Sequence, residues 1–261
     1  LGFWVLAFTG SPALMGTLMA TSLLPGVLLA PFAGVVVDRS SRKKLMILTD
    51  MIRGITIILV AVTAIMGLLQ LWMVFLAGVI LGIGGAFFGP AAMSVLPQMV
   101  PQNKLTNANS LFGIANTGAD ILGNSLGGIL YVLIGAPLMF LINGISFIIS
   151  GISISLAKIP KNKTSEITSQ NFISDLTKSL GFIWKLKGLF YIMILFSIFS
   201  FLVHIAVVLL IPLFQFTPGL GAAKYGIAVA CFTAGMFLGM IVLSAMAIHP
   251  SKRAALMLVS L

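Results

Sequence analysis

The stretch that decides the fold is Gly34-Val-Val-Val-Asp38-Arg39-Ser-Ser-Arg42-Lys43-Lys44, which places five charges between two long apolar runs. The runs on either side, 14–37 and 45–69, are each long enough to cross a bilayer, which takes about 20 apolar residues. A short basic loop between two such helices sets their orientation, because Lys and Arg near helix ends stay cytoplasmic. The stretch therefore predicts two membrane helices joined by a cytoplasmic loop.

The composition of the whole chain extends this prediction. The 261 residues are 59% hydrophobic and only 8% charged, whereas soluble domains carry about 25% charged residues. Lipid must therefore cover most of the surface, and successive apolar runs predict an all-α, polytopic membrane protein. The net charge of +10 does not indicate a nucleic-acid partner, because the basic residues lie in loops rather than on one solvated face. The expected partner is the lipid bilayer.

The hydrophobic runs predict eight helices and the start of a ninth. Between them, 97–104 is expected to form a loop, and Gly135-Ala-Pro137 a turn. Because the chain begins and ends inside apolar runs, we expect it to be part of a longer protein. The predicted helices cover 1–8 as the end of the first, then about 14–37, 41–67, 71–95, 105–133, the segment from the turn to 157, 187–214 and 222–247.

The placement of positive charge tests this topology. Most of the 15 Lys and Arg residues follow even-numbered helices. The loops after helices 3 and 5 have none, and the loop after helix 7 has only Lys224. Since basic loops stay in the cytoplasm, the even-numbered loops are predicted to be cytoplasmic.

The predicted helices divide the chain into three parts. Residues 1–157 form an N-terminal six-helix bundle whose first helix is truncated, 158–186 form a cytoplasmic linker, and 187–261 begin a C-terminal bundle. One face of the linker is apolar, which is typical of an amphipathic helix at the membrane surface. We interpret it as a connector between bundles, with a regulatory or partner-binding role as the alternative. That face consists of Phe172, Ile173, Leu176, Leu180, Ile183 and Trp184.

An internal repeat relates the two bundles. A shift of 210 residues aligns Ser41-Arg42-Lys43 with Ser251-Lys252-Arg253, Gly16 with Gly226, and Asp38 with Ile248. The intervening six helices preserve membrane orientation, so the repeat is parallel, about an axis along the membrane normal. The second copy keeps the positive charge and lacks the acid.

These segments resemble the major facilitator superfamily of secondary transporters, in particular its macrolide, siderophore and lysophospholipid branch. The resemblance rests on the loop Gly34–Lys44, on Phe88-Gly-Pro-Ala91, on Leu105-Thr-Asn-Ala-Asn109 and on Gly123-Asn-Ser-Leu-Gly127-Gly128. It implies helical bundles of the major facilitator type, with about eight of twelve helices present, in a bacterial plasma membrane. It also implies a monomer with a small-molecule substrate.

The resemblance assigns a gating role to the loop, namely to Gly34, Asp38, Arg39, Arg42 and Lys43. In the family the equivalent Asp latches the two bundles on the cytoplasmic side, partly through helix 11. A carboxylate at the end of its own helix is poorly placed for that helix dipole, so it is better placed against another helix N-terminus or an Arg. The alternative is a loop that only sets topology.

Polar residues inside the predicted helices are candidates for a substrate or proton pathway, because intramembrane charges are expensive. Asp120 lies in the middle of helix 5, between Asn116 and Asn124 at i−4 and i+4. The alternative is a polar seam against helix 8, in which Asn side chains satisfy Asp120. The chain departs from the antiporter pattern because Asn124 stands at the position of a Pro, which argues against a standard proton-antiport mechanism.

His204, in predicted helix 7, is a second pathway candidate, although a lone His is more often a packing residue. Small residues that allow close helix contact predict a bundle interface at Gly123, Gly127, Gly128, Gly226 and Gly235. Asp50 and Arg53, one turn apart in helix 3, are interpreted as a structural ion pair, with Arg39 or Arg42 as alternative partners of Asp50. No metal, cofactor or catalytic residue is predicted.

The preferred function is secondary active transport, with efflux of amphipathic or drug-like small molecules by alternating access and with proton coupling left open. A lysophospholipid flippase is the alternative within transport. A receptor or scaffold without transport is the alternative of another class, against which the repeat and the loop argue. An integral-membrane enzyme is not supported, because the sequence has no paired carboxylates, nucleophile elbow or phosphate loop.

Overall fold

The structure, a computed structural model, describes residues 1–159 and 186–245, and these residues confirm the all-α prediction. A helical run, Leu105–Leu156, is broken at Gly135, whose φ of 76° and ψ of 170° are not helical. We label the part before Gly135 α5 and the part after it α6. The other helices are α1 (Gly2–Thr9), α2 (Pro12–Arg39), α3 (Arg42–Ile65), α4 (Leu71–Met99), α7 (Lys187–Phe216) and α8 (Ala222–Ala245).

Several of these helices have the length and composition of membrane spans. The first half of α5 is helical but falls outside them, because it is rich in Asn, Thr and Gly. α8 contains a shorter apolar segment, Ala222–Met236. Within the described residues, five segments are long and apolar enough to cross a bilayer: Pro12–Gly34, Arg42–Ile65, Leu71–Met99, Leu126–Leu156 and Phe190–Phe216.

Serine caps explain why the first three helices are joined by such short connections. Ser11 accepts a hydrogen bond from the Leu14 amide at 3.3 Å, and Ser41 accepts one from the Lys44 amide at 3.5 Å. Each bond satisfies one of the amides that the first turn leaves without an intrahelical partner. Gly10 ends α1 in the left-handed conformation, with φ of 64°, which glycine adopts without steric cost.

The predicted loop 97–104 is wrong in its first half. α4 continues through Pro97 to Met99, and Gln102–Lys104 form one turn of 3-10 helix. Proline removes one backbone hydrogen bond and presses on the carbonyl four residues earlier. Membrane helices tolerate this because other groups satisfy the freed backbone. Pro90 also lies inside α4.

The described chain divides into two compact units. One contains residues 1–115 and 129–159, and the other contains 116–128 and 186–245. In the first unit, α4 packs against both α2 and α3; in the second, α7 packs against α8. The predicted division at 1–157, 158–186 and 187–261 stays a prediction, and the amphipathic helix and the repeat's second basic element, Ser251-Lys252-Arg253, lie outside the described residues.

Candidate functional site

The loop between α2 and α3 carries an exposed carboxylate. Asp38 lies in the last turn of α2, and its Oδ1 is 3.4 Å from Nη2 of Arg42 in the first turn of α3. The Asp38 side chain is 63% exposed, whereas that of Arg42 is only 15% exposed. Arg39, in the same last turn, is exposed and has the charge that suits the end of a helix. The carboxylate of Asp38 is therefore the accessible half of the pair.

Arg42 also anchors the loop to α4. Its Nη1 donates a hydrogen bond to the carbonyl oxygen of Ser94 at 2.9 Å. Beside this bond, Val37, Met46, Ala91 and Val95 form a small buried apolar cluster. The guanidinium thus joins α3 to the C-terminal part of α4 while one side of it faces Asp38.

Lys43 anchors the loop to α6. Its Nζ donates to the carbonyl oxygens of Ser155 and Ala157, at 2.6 and 2.7 Å. The last carbonyls of a helix have no intrahelical partner, and they form the negative end of its dipole. A cation from another helix satisfies both requirements, so Lys43 caps α6.

These contacts divide the loop into a part that is bound to other helices and a part that is exposed. The cations of Arg42 and Lys43 lie at the N-terminus of α3, where they oppose its own dipole. Carbonyl oxygens of α4 and of the C-terminal end of α6 compensate them. Gly34, by contrast, is exposed, and a Cβ atom there would meet nothing within 4 Å. Within the described residues, packing does not require glycine at this position.

A second carboxylate–arginine pair is buried deeper in α3. Asp50 is 1% exposed, and its Oδ1 lies 3.2 Å from Nη1 of Arg53. Its Oδ2 accepts a hydrogen bond from the Ser150 hydroxyl of α6 at 2.6 Å. The predicted ion pair is therefore present, and Arg53, not Arg39 or Arg42, is the partner of Asp50.

Aromatic rings enclose the arginine of this pair. The guanidinium of Arg53 lies 4.2 Å from the ring centre of Phe147 on α6 and 5.4 Å from that of Phe88 on α4. The stem of Arg53 lies on Gly84, where a Cβ atom would collide with it. Sequence reasoning missed Ser150, Phe88, Phe147 and Gly84, because spacing along a single helix carries no information about the helices that face it.

The predicted pathway residues lie in the second unit, and those whose side chains are described are exposed. Asn116 and Asp120 are exposed on α5, and the side chain of Asn124 lies outside the described part. His204 is exposed on α7, with Nδ1 2.7 Å from the Ser200 carbonyl oxygen of the preceding turn. Among the described side chains, no hydrogen bond or ion pair brings these residues together.

The predicted interface glycines behave differently from one another. Gly128 of α5 lies against Ala222 and Gly226 of α8, so closely that a Cβ atom would collide with the Ala222 carbonyl. For Gly123, Gly127 and Gly235, a Cβ atom would meet nothing within 4 Å. Among the predicted glycines with a described environment, the close approach lies at the N-terminal end of α8.

The described residues contain no group of three or more His, Cys, Asp or Glu side chains that could hold a metal ion. The ionic and polar groups described above are the loop, the buried pair and the separate polar residues of α5 and α7. These arrangements can hold helices together and can exchange ionic partners.

Comparisons with known proteins extend this description. Macrolide efflux protein A of Streptococcus pyogenes is 27% identical over 239 residues, which cover 91% of this chain and 59% of that protein. Macrolide efflux protein A of Enterococcus faecalis is 28% identical over 232 residues, covering 86% and 72%. The relative named "Uncharacterized MFS-type transporter YkuC" of Bacillus subtilis is 28% identical over 239 residues, covering 88% and 54%. No solved structure matches.

The chain spans about 59% of the length of the Streptococcus pyogenes relative. The family comparison covers more of it, since the match to the Major Facilitator Superfamily extends over residues 1–261. Together with the apolar helices, this match makes the protein a multi-pass membrane protein. The chain therefore belongs to the Major Facilitator Superfamily.

Proposed function

We propose that the protein is a secondary transporter that exports amphipathic or drug-like small molecules by alternating access. The observation that carries this proposal is the division within the α2–α3 loop. Arg42 and Lys43 are bound to carbonyl groups of α4 and α6, whereas Asp38 and Gly34 are exposed. A loop that only set membrane orientation would need its positive charges but neither the acid nor the glycine.

The anchored cations hold the loop on the N-terminal bundle, and the exposed carboxylate is free to bind a second bundle. In this proposal Asp38 pairs with a helix N-terminus of the C-terminal bundle when the transporter faces outward, and Gly34 allows that helix to approach. Opening toward the cytoplasm returns Asp38 to Arg42. The exposed side of Arg39 attracts the same partner region or anionic lipid.

Macrolide efflux, which the names of two relatives state, supports a substrate that is large, amphipathic and cytotoxic. We therefore propose a bacterial plasma-membrane location, cytoplasmic basic loops and a monomeric transporter with no nucleic-acid partner. A lysophospholipid flippase would occupy the same membrane, and no described contact favours that alternative over export.

Inside-out vesicles that contain the intact protein test the proposal directly. A radiolabelled macrolide is expected to accumulate in these vesicles when an inward-acid proton gradient is applied, and an ionophore that collapses the gradient is expected to abolish accumulation. A labelled lysophospholipid, assayed in parallel, tests the flippase. Accumulation of neither compound would contradict a transport function of this kind.

The gate itself is tested by Asp38→Asn, with Lys44→Gln as the matched control. Lys44 is an exposed residue of the same loop. We expect the Asp38 variant to insert and fold normally and to lose transport, because the amide cannot supply the charge for the closed state. Transport at the wild-type rate in Asp38→Asn would contradict the gating role.

Proton coupling through Asp120 is a separate proposal. Asp120 lies on α5 ahead of the apolar segment Leu126–Leu156, and a carboxylate in a helix of a membrane transporter can carry a proton. If it is correct, Asp120→Asn abolishes uphill accumulation driven by the proton gradient but keeps downhill equilibration of the macrolide. The variant His204→Gln applies the same test to the other pathway candidate. Gradient-driven accumulation that survives in Asp120→Asn would exclude this residue as the coupling site.

A further inference from the structure

The buried Asp50–Arg53 pair takes no part in the gate proposed above, and its contacts extend well beyond charge neutralisation. Arg53 reaches α4 through Phe88 and Gly84, and it reaches α6 through Phe147. Asp50 reaches α6 through Ser150. A pair that only offset its own charges would not need aromatic rings on two other helices.

The contacts of α3 with α4 lie on both sides of a proline. Arg53 contacts Phe88, two residues before Pro90, and Arg42 binds the carbonyl oxygen of Ser94, four residues after it. Pro90 lies inside α4, and a proline inside a helix weakens it at that point and allows a bend. The two arginines of one helix therefore hold the two halves of the next.

The packing at these contacts leaves little freedom. Gly84 is buried, and the aliphatic part of Arg53 lies directly on it. Between α3 and α6, Gly54 and Gly144 approach each other closely, and Gly151 lies against Met51. α3 is thus packed tightly against both α4 and α6 near Arg53. Because this packing holds α3 in place, α3 can fix the position of α4.

We propose that Arg53 is a positioning residue, which together with Arg42 fixes the conformation of α4 across Pro90. Asp50 and Ser150 orient Arg53 for this role, and its guanidinium carbon lies over the rings of Phe88 and Phe147, 5.4 and 4.2 Å from their centres. The planar guanidinium of Arg can stack on aromatic rings, which the ammonium group of Lys cannot do. The consequence for transport rests on the function proposed above, whereas the consequence for the shape of α4 does not.

The test is a distance measured along α4 in the intact protein. Cys231 is replaced by Ser, and nitroxide labels are placed at Leu76 and Met93, which are exposed on either side of Pro90. The matched control pair, Leu48 and Ile65, is exposed on α3 at the same sequence separation. Each pair should lie roughly 25 Å apart along an α-helix, within the range of pulsed dipolar spectroscopy.

The decisive variant is Asp50→Asn combined with Arg53→Met, which removes both charges together and leaves no unpaired ion. We expect a broadened or shifted distance distribution for the α4 pair and an unchanged one for the α3 pair. We also expect maximal macrolide uptake to fall about tenfold at an unchanged half-saturation concentration, since the change concerns a conformational step. A purely structural ion pair predicts wild-type values for both measurements.

Arg53→Lys keeps the charge opposite Asp50 and removes the planar guanidinium. It decides the question if the double variant does not fold, and a partial shift of the α4 distance is expected. A wild-type α4 distribution in whichever of the two variants folds would overturn the proposal. If the wild-type protein itself shows no uptake, the proposed function fails, and the label distances still decide the role of Arg53.

Discussion

The pairs Asp38–Arg42 and Asp50–Arg53 use the same chemistry in opposite surroundings. Both join a carboxylate to an arginine of α3, at 3.4 and 3.2 Å. The Asp38 side chain is 63% exposed, and that of Asp50 is 2% exposed. Water competes for the first pair and leaves it free to change partners, whereas burial makes it costly for the second pair to separate. The comparison separates a contact that can switch from one that fixes helices in place.

The largest expected effect comes from breaking the buried pair on one side only. Arg53→Met leaves the Asp50 carboxylate buried without a cation, which should cost about 3–5 kcal/mol of folding stability. Arg42→Met removes one anchored hydrogen bond beside an exposed carboxylate and should cost about 1–3 kcal/mol. Thermal unfolding in detergent micelles measures both. Equal losses would contradict the contrast between the two pairs.

The next effect concerns the glycine beneath Arg53. In Gly84→Ala the new methyl group collides with the arginine stem, and we expect a cost of about 1–3 kcal/mol from overpacking. The neighbouring Gly85 has nothing within 4 Å of an added Cβ, so Gly85→Ala should gain about 0.5–1 kcal/mol through helix propensity. The same unfolding midpoints compare the two, and an opposite order would show that Arg53 is loosely held.

A smaller effect is expected at the anchored cation of the loop. Lys43→Met removes two charge-assisted hydrogen bonds from the end of α6, and the expected cost is about 1–2 kcal/mol. Lys44→Met, which changes an exposed lysine one position later, should leave the midpoint nearly unchanged. Identical midpoints for the two variants would mean that the cap of α6 contributes nothing to stability.

The smallest effect on stability is expected for the residue with the largest proposed effect on transport. Asp38→Asn weakens an exposed ion pair, so the unfolding free energy should fall by less than about 1 kcal/mol. The expected loss of macrolide transport would then come from the gate rather than from the fold. A large fall of the unfolding midpoint would instead place Asp38 among the structural residues and weaken the comparison.

Much of the fold could be predicted, because local hydrophobicity and capping residues mark where most helices begin and end. The break at Gly135 and the short α2–α3 connection follow from residues at those positions. The predicted end of α4 is too early, because Pro97 is a residue that usually ends a helix. Whether a helix tolerates a proline depends on the membrane and protein groups around it.

The ionic contacts of the site were harder to predict. Asp50 and Arg53 are three residues apart, and their pairing follows from helix geometry. Ser150, Phe147, Ser155 and Ala157 lie about one hundred residues further along the chain, and only the packing of α6 on α3 brings them to Asp50, Arg53 and Lys43. Nothing within a single helix could indicate which carbonyl a lysine would bind.

The separation of these contacts along the chain has a consequence for biosynthesis. Asp50 and Arg53 can pair as soon as α3 enters the membrane, which lowers the cost of inserting two charges. Ser150 and the carbonyl oxygens that Lys43 binds follow only after about another hundred residues, or roughly 5–20 s of translation. During that interval α3 has its local pair and the contacts of Arg53 with Phe88 and Gly84 of α4, but not those with α6. The short spacing of Asp50 and Arg53 therefore neutralises both charges at once, before α4 and then α6 add their contacts.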